Sequence, residues 1–214
     1  MTPDQLLALA GFAVAAAWTP GPNNVMLAAS GATYGWRRTL PHAMGVALGF
    51  PVMVFAIALG LGEMFEAAPA LRFGLAWLGA AVMLWLAWRI GTATPRAKRT
   101  AASGPDATSH ELAQAASGRP LNFIEAAAFQ WVNPKAWVMS IGVSATYVSG
   151  AAPITEALIV AAVFMLVGLT SSQAWTTAGA AIGSLLGKGA RLRIFNAVMG
   201  LLIALSALWL VVDV

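Results

Sequence analysis

Six stretches of roughly twenty predominantly apolar residues, near 5–33, 40–62, 72–91, 122–148, 155–186 and 194–212, constrain this chain more than any other feature. A helix of that length crosses a hydrocarbon core of about 30 Å. In lipid every backbone polar group must be satisfied within the fold, which leaves helices or closed barrels as spanning structures. Runs this long predict an all-α membrane protein of six transmembrane helices. Of the 214 residues, 59% are hydrophobic and 9% charged, against roughly 45–50% and 25% in soluble domains. Twenty charged side chains cannot cover so apolar a core, so a soluble enzyme is excluded. There is no Cys, and the only histidines are His42 and His110. Thiol nucleophiles and Cys/His zinc sites are thereby removed, and no metal or cofactor is expected. The net charge of +4 comes from short basic clusters between apolar stretches, a pattern that speaks for membrane orientation rather than nucleic-acid binding.

Those clusters set the predicted orientation. Arg37 and Arg38 follow the first span, Arg89, Arg96, Lys98, Arg99 and Arg119 lie around the connection of spans three and four, and Lys188, Arg191 and Arg193 separate spans five and six. By the positive-inside rule these ends are cytoplasmic. The alternate connections carry Glu63, Glu66 and Arg72, and then the nearly uncharged 147–153. Both termini are therefore expected outside. No Lys or Arg precedes the first span, which is too long for the apolar region of a signal peptide, so it is expected to stay in the mature protein. Residues 92–121, rich in Ala, Ser, Gly, Pro and Thr, read as a flexible cytoplasmic linker. They divide the chain into a first three-helix unit, 1–91, and a second, 122–214.

The two units resemble each other. Span three reads Leu78-Gly79-Ala80-Ala81 through Trp88 and span six Met199-Gly200-Leu201-Leu202 through Trp209, with Gly79 and Gly200, and Trp88 and Trp209, equally spaced. Spans one and four are each interrupted by a proline motif, Thr19-Pro20-Gly21-Pro22-Asn23-Asn24 and Asn133-Pro134-Lys135-Ala136. Because each unit holds an odd number of spans, the second enters from the opposite face, which is the pattern of an inverted-topology repeat.

A proline inside a helix removes a donor and clashes with the carbonyl four residues back, at about 3 kcal/mol. In a bilayer the freed groups are tolerable only against protein or a watery cavity. Thr19 before Pro20 and Asn133 before Pro134 have the form of an N-cap followed by proline at the first helical position. Each would restart a half-helix whose positive end points to the membrane centre, and two such ends suit a small anion such as a carboxylate. The plainer reading, two ordinary proline kinks in packed helices, is weakened by their duplication at matched depth. Lys135, the one cation deep in a span, would reinforce the site, unless its stem snorkels to the interface. Asn23, Asn24, Gln130 and Gln173, with Thr170, Ser171 and Ser172, are candidate cavity linings or interhelical hydrogen-bonding groups. Glu125 and His42 are candidate proton carriers, with a surface carboxylate and a structural interfacial histidine as the alternatives. Small residues at four-residue spacing, Gly45 with Gly49 and Gly179 with Gly183 and Gly187, predict close helix packing. Trp18, Trp131, Trp137 and Trp175 flank the breaks or the polar stretch of span five; they either line a pocket or fill space in the bundle.

Together, Thr19-Pro20-Gly21-Pro22-Asn23, Gly45-Val46-Ala47-Leu48-Gly49, Leu78-Gly79-Ala80-Ala81 with Trp88-Arg89, and Asn133-Pro134-Lys135-Ala136 resemble the LysE/RhtB family of bacterial amino-acid exporters, over nearly the whole chain. The resemblance implies a bacterial inner-membrane protein, embedded in lipid, that exports amino acids or their derivatives by proton antiport. Trp131 and Trp137 stand where family members commonly carry Phe or aliphatic residues, so the substrate is left open, as is the choice between monomer and homo-oligomer. A passive channel is the alternative transport reading. A membrane-embedded enzyme is disfavoured, since no Asp pair falls within a span and no zinc ligand set exists. The carbonyls freed near 15–18 and 129–132 are expected to meet a substrate ammonium. No Asp or Glu lies near the midplane to pair a second cation, so a neutral amino acid is preferred over lysine or arginine.

Overall fold

A computed structural model describes residues 1–62, 67–93, 118–187 and 189–212. Glu63, Glu66, Lys188, His110 and nearly all of the 92–121 linker lie outside the described residues. Every regular element among them is helical: α1 (Pro3–Trp18), α2 (Pro22–Tyr34), α3 (Trp36–Ala56), α4 (Pro69–Gly91), α5 (Phe123–Phe129), α6 (Pro134–Tyr147), α7 (Pro153–Leu186) and α8 (Ala190–Val212). A wide π turn, Ile57–Leu61, extends α3, and a 3₁₀ turn, Gln130–Val132, joins α5 to the α6 break.

Four helical stretches are long and apolar enough to cross a membrane: Trp36–Leu61, Phe73–Gly91, Pro153–Leu186 and Ala190–Leu210. A fifth apolar helix, Pro3–Trp18, is shorter. The reason lies in the prolines. α1 and α2 have 16 and 13 residues, and α5 and α6 have 7 and 14, so no piece of the first or fourth apolar stretch reaches the roughly 20 residues a continuous span needs. This is an all-α, multi-pass membrane protein, and large apolar side chains such as Leu7, Trp88, Leu185 and Trp209 are exposed on its outside.

The core is α2. It is buried from Asn24 to Ala32, packed along α7 and against α8 and α3. Backbone contact on α7 is made possible by glycine: a Cβ on Gly179 would stand 2.1 Å from the Ala28 carbonyl oxygen and one on Gly183 2.2 Å from that of Ala32. Gly45 and Gly49 likewise bring α3 onto α5, at the Phe123 carbonyl and Ala127. Gly187 does not share this role. It has open space around it and φ of +66°, and it ends α7 in the left-handed region, which glycine enters without steric cost. Gly79 approaches the Val132 carbonyl, whereas Gly200 approaches Ala87 and Gly91 where α8 lies along α4. Three apolar clusters complete the packing, around Met83, Phe129 and Ile203, around Leu9, Val160 and Phe164, and around Met53 and Trp137.

Candidate functional site

The two proline motifs meet. α1 ends at Thr19, whose backbone N–H and hydroxyl both donate to the Ala15 carbonyl. The chain is then extended at Gly21 (φ −167°, ψ 177°), and α2 begins with Pro22 at its first position. The expected cap at Thr19 is therefore corrected: Gly21 is the N-cap of α2 and Pro22, not Pro20, takes the first helical position. A proline biases its predecessor to extended backbone, and with two prolines in a row of three the second one sets the restart. In the other motif the expectation holds. Asn133 is the N-cap of α6, its Oδ1 accepting from the Lys135 amide at 3.2 Å, with Pro134 next.

Across the breaks, Asn23 Nδ2 donates to Gln130 Oε1 at 2.8 Å, and Gln130, fully buried, donates back to Asn23 Oδ1 at 3.4 Å and to the Ala126 carbonyl at 2.9 Å. Lys135 Nζ donates to the Thr19 carbonyl at 3.0 Å. Its stem lies over Gly21, where a Cβ would come within 3.0 Å of Lys135 Cδ. Asn24 Nδ2 donates to the carbonyls of Ala17 and Thr19, and Ser171 Oγ to that of Ala17. At the first break the Ala15 carbonyl takes two donors from Thr19, that of Ala17 takes Asn24 and Ser171, and that of Thr19 takes Asn24 and Lys135, whereas the carbonyls of Ala16 and Trp18, four residues before Pro20 and Pro22, lose their helical donors. The Trp131 carbonyl is taken by Trp137 Nε1 and that of Gln130 by the Asn133 amide. The expectation of open carbonyls is corrected for Ala15, Ala17, Gln130 and Trp131, since buried backbone oxygens find partners in the folded chain itself, while Ala16, without a helical donor, lines the cavity at the breaks.

These groups enclose a cavity of about 70 Å³, lined among others by Gly21, Asn23, Asn24, Asn133, Lys135, Ser171 and Ser172, with Phe50, Met139 and Phe164 as its apolar side. Gly21 offers no side chain to cap α2, which leaves the amides of Asn23 and Asn24 at the cavity wall. One acceptor there was missed in the sequence. Pro51 lies inside α3 and has no N–H, so the carbonyl of Ala47, four residues earlier, loses its helical donor, and Ala47 lines the cavity. A proline within the second apolar stretch was the available signal.

Three further sequence candidates stand elsewhere. Gln173 accepts from Trp36 Nε1 at 3.0 Å and reaches the Met44 sulfur, away from the breaks, while Ser171 and Ser172 of the same segment do line the cavity. Glu125 closes a capping box on Asn122 and receives both terminal nitrogens of Arg119, one at 2.8 Å. The same bond raises Arg119 above its ordinary value. His42 is 1% exposed, and neither ring nitrogen has a hydrogen-bond partner. It borders a cavity of about 30 Å³ with Ser30, Tyr34, Arg89 and Arg119, room for a water.

Similarity to known proteins agrees with a site built for passage rather than chemistry. The chain is 32% identical over 186 residues to a cysteine/O-acetylserine efflux protein of Salmonella typhimurium, covering 84% of each chain. It is 31% identical over the same length to the protein of that name in Escherichia coli K12, again at 84% of each. No solved structure matches it. Residues 14–214 match the family described as LysE type translocator. With nearly the whole chain covered by that match, this protein belongs to the LysE translocator family, and is a transporter and not an enzyme.

Proposed function

We propose that the protein exports a neutral amino acid across the bacterial inner membrane as a zwitterion, in exchange for protons. Six crossings arise when α1 with α2, and α5 with α6, each traverse as a broken pair, giving two inverted three-helix repeats (1–91 and 122–214) around the breaks. Both termini face outward and 92–121 is cytoplasmic, as the basic clusters argue. The observation that carries the reading is the cavity at which both breaks converge, tied across by the Asn23–Gln130 amide pair and by Lys135. The carboxylate is held by the α2 amides at Asn23 and Asn24, by the start of α6 and by the Lys135 ammonium. The α-ammonium is met by the Ala47 carbonyl and the Ser171 and Ser172 oxygens. Among the described residues no acidic side chain lines the cavity, so a second cation on the substrate would stay unpaired at a cost of several kcal/mol.

For the proton we favour His42 over Glu125. The Glu125 carboxylate is occupied by Arg119 and by the cap of α5, whereas the buried His42 ring has both nitrogens free beside a water-sized space. The cysteine/O-acetylserine relatives add support for a small neutral substrate. Cells loaded with dipeptides and assayed for amino-acid efflux, with and without a protonophore, test the proposal. Efflux of neutral amino acids should collapse with the proton gradient and in Lys135→Ala. Preferential lysine efflux, or undiminished efflux by a Pro20→Ala, Pro134→Ala double variant, would refute it, and protonophore-insensitive downhill flux would identify a passive channel instead.

A further inference from the structure

We infer that the substrate site continues out of the small cavity into a second, apolar one, and that the protein exports amino acids whose apolar side chain is much larger than that of cysteine. This rests on the export reading given above. The second cavity, about 1050 Å³, lies between α4, α6 and α8, and its inner end is formed by the two breaks themselves, Pro20, Gly21, Pro22 and Pro134. α6 packs on α1, α3 and α7, which leaves its remaining face to wall this space. The larger walls are Leu75, Trp137, Ile141, Leu202, Leu205 and Trp209. Pockets for ligands run to about 300–1,000 Å³ and are mostly apolar with few polar groups, so this one has the size and lining of a binding site.

Among the described residues Lys135 is the single charged one lining either cavity, and it belongs to both. An ammonium has three donors, and among the described residues Nζ has one partner, the Thr19 carbonyl. A cation this far from any lining carboxylate calls for an anion. A positive group at the mouth of a large apolar chamber complements an amphiphile, with its carboxylate on Lys135 and its apolar body in the chamber. The outer flank, with Val138 and Trp209 both more than 70% exposed, opens toward hydrocarbon, so a fatty acid drawn from the membrane is the competing occupant.

A series of S-alkylcysteines separates these occupants, since head group and charge stay constant while the alkyl chain grows. Uptake of labelled S-methylcysteine into inside-out vesicles containing the full-length protein is measured with S-butyl- and S-hexylcysteine and octanoate as competitors. S-hexylcysteine should compete at least tenfold better than unlabelled S-methylcysteine, and octanoate poorly. In Ile141→Trp and Leu205→Trp, which narrow the chamber, that advantage should fall at least threefold while S-methylcysteine uptake stays within twofold of the parent, which also shows the variants to be folded. Equal competition along the series, or an advantage that survives both variants, would overturn the inference while leaving amino-acid export intact. Octanoate competing as well as S-hexylcysteine would make the chamber a fatty-acid site and overturn it too. Absence of any uptake by the parent protein would refute the export reading on which it rests.

Discussion

Replacing Gly179 by alanine adds one methyl group and should damage the molecule out of proportion to its size. The new Cβ would lie 2.1 Å from the Ala28 carbonyl oxygen and 2.7 Å from its carbonyl carbon and Cα. Ordinary contact begins at 3.4 Å, so α2 and α7 must part by 3.4 − 2.1 = 1.3 Å at that point. Both obstructing groups are backbone, so no rotamer change relieves the clash, and the rigid seam carries the displacement to Gly31 at Thr176 and Gly183 at Ala32. Overpacking of this kind costs about 1–3 kcal/mol, offset in part by the roughly 0.5–1 kcal/mol that alanine gains over glycine inside a helix. A net loss of about 1–2 kcal/mol lowers the folded-to-unfolded ratio by a factor of roughly 5–30. Gly142→Ala supplies the control, because nothing lies within 4 Å of the site and only the helix gain applies. Unfolding of the purified protein in SDS, followed by tryptophan fluorescence, should shift to lower SDS for Gly179→Ala and hold or rise for Gly142→Ala. Equal midpoints for Gly179→Ala and the parent would refute the claim that backbone contact seals this seam.

Gln130→Met removes the partner of the half-buried Asn23 amide while keeping the volume, and should cost about 1–3 kcal/mol by the same unfolding assay and lower efflux by more than the loss of inserted protein accounts for. Glu125→Gln breaks a solvent-exposed ion pair, worth about 0–1 kcal/mol; efflux should remain near that of the parent, and its abolition would return the proton to Glu125. Since the chain has no cysteine, Ala67→Cys and Ser103→Cys report orientation directly: an impermeant thiol reagent applied to intact cells should label the first and spare the second, and the reverse pattern would invert the assigned topology.

Residues 1–214 alone determine much of this protein, because a bilayer enforces simple rules: apolar length decides what is helix, and the Pro20–Pro22 and Asn133-Pro134 motifs break one, although α3 runs on through Pro41 and Pro51. Four of the six apolar stretches fall on helices long enough to cross a membrane and the other two on pairs of shorter helices, and Asn133-Pro134 restarts α6 as its sequence predicts, since a cap followed by proline is a local, self-contained motif. Even the cap of α2 was half legible, but choosing between Pro20 and Pro22 needed the extended conformation at Gly21. What local sequence does not contain is who satisfies whom. Asn23 and Gln130 are 107 residues apart and Lys135 and Thr19 are 116 apart, and only the bundle decides that their polar atoms fill each other's needs and that the Ala17 carbonyl is taken by Asn24 and Ser171. The same packing sends Gln173 to Trp36 while its neighbours Ser171 and Ser172 face the cavity, because successive residues of a helix point some 100° apart and the contact face is set by neighbouring helices. It brings Ala47, whose carbonyl Pro51 has freed, to the cavity beside the breaks and strips His42 of partners. Backbone hydrogen bonding within a helix is local and therefore readable in sequence, whereas satisfaction of buried side chains depends on contacts across the fold, and those are decided by how the helices pack.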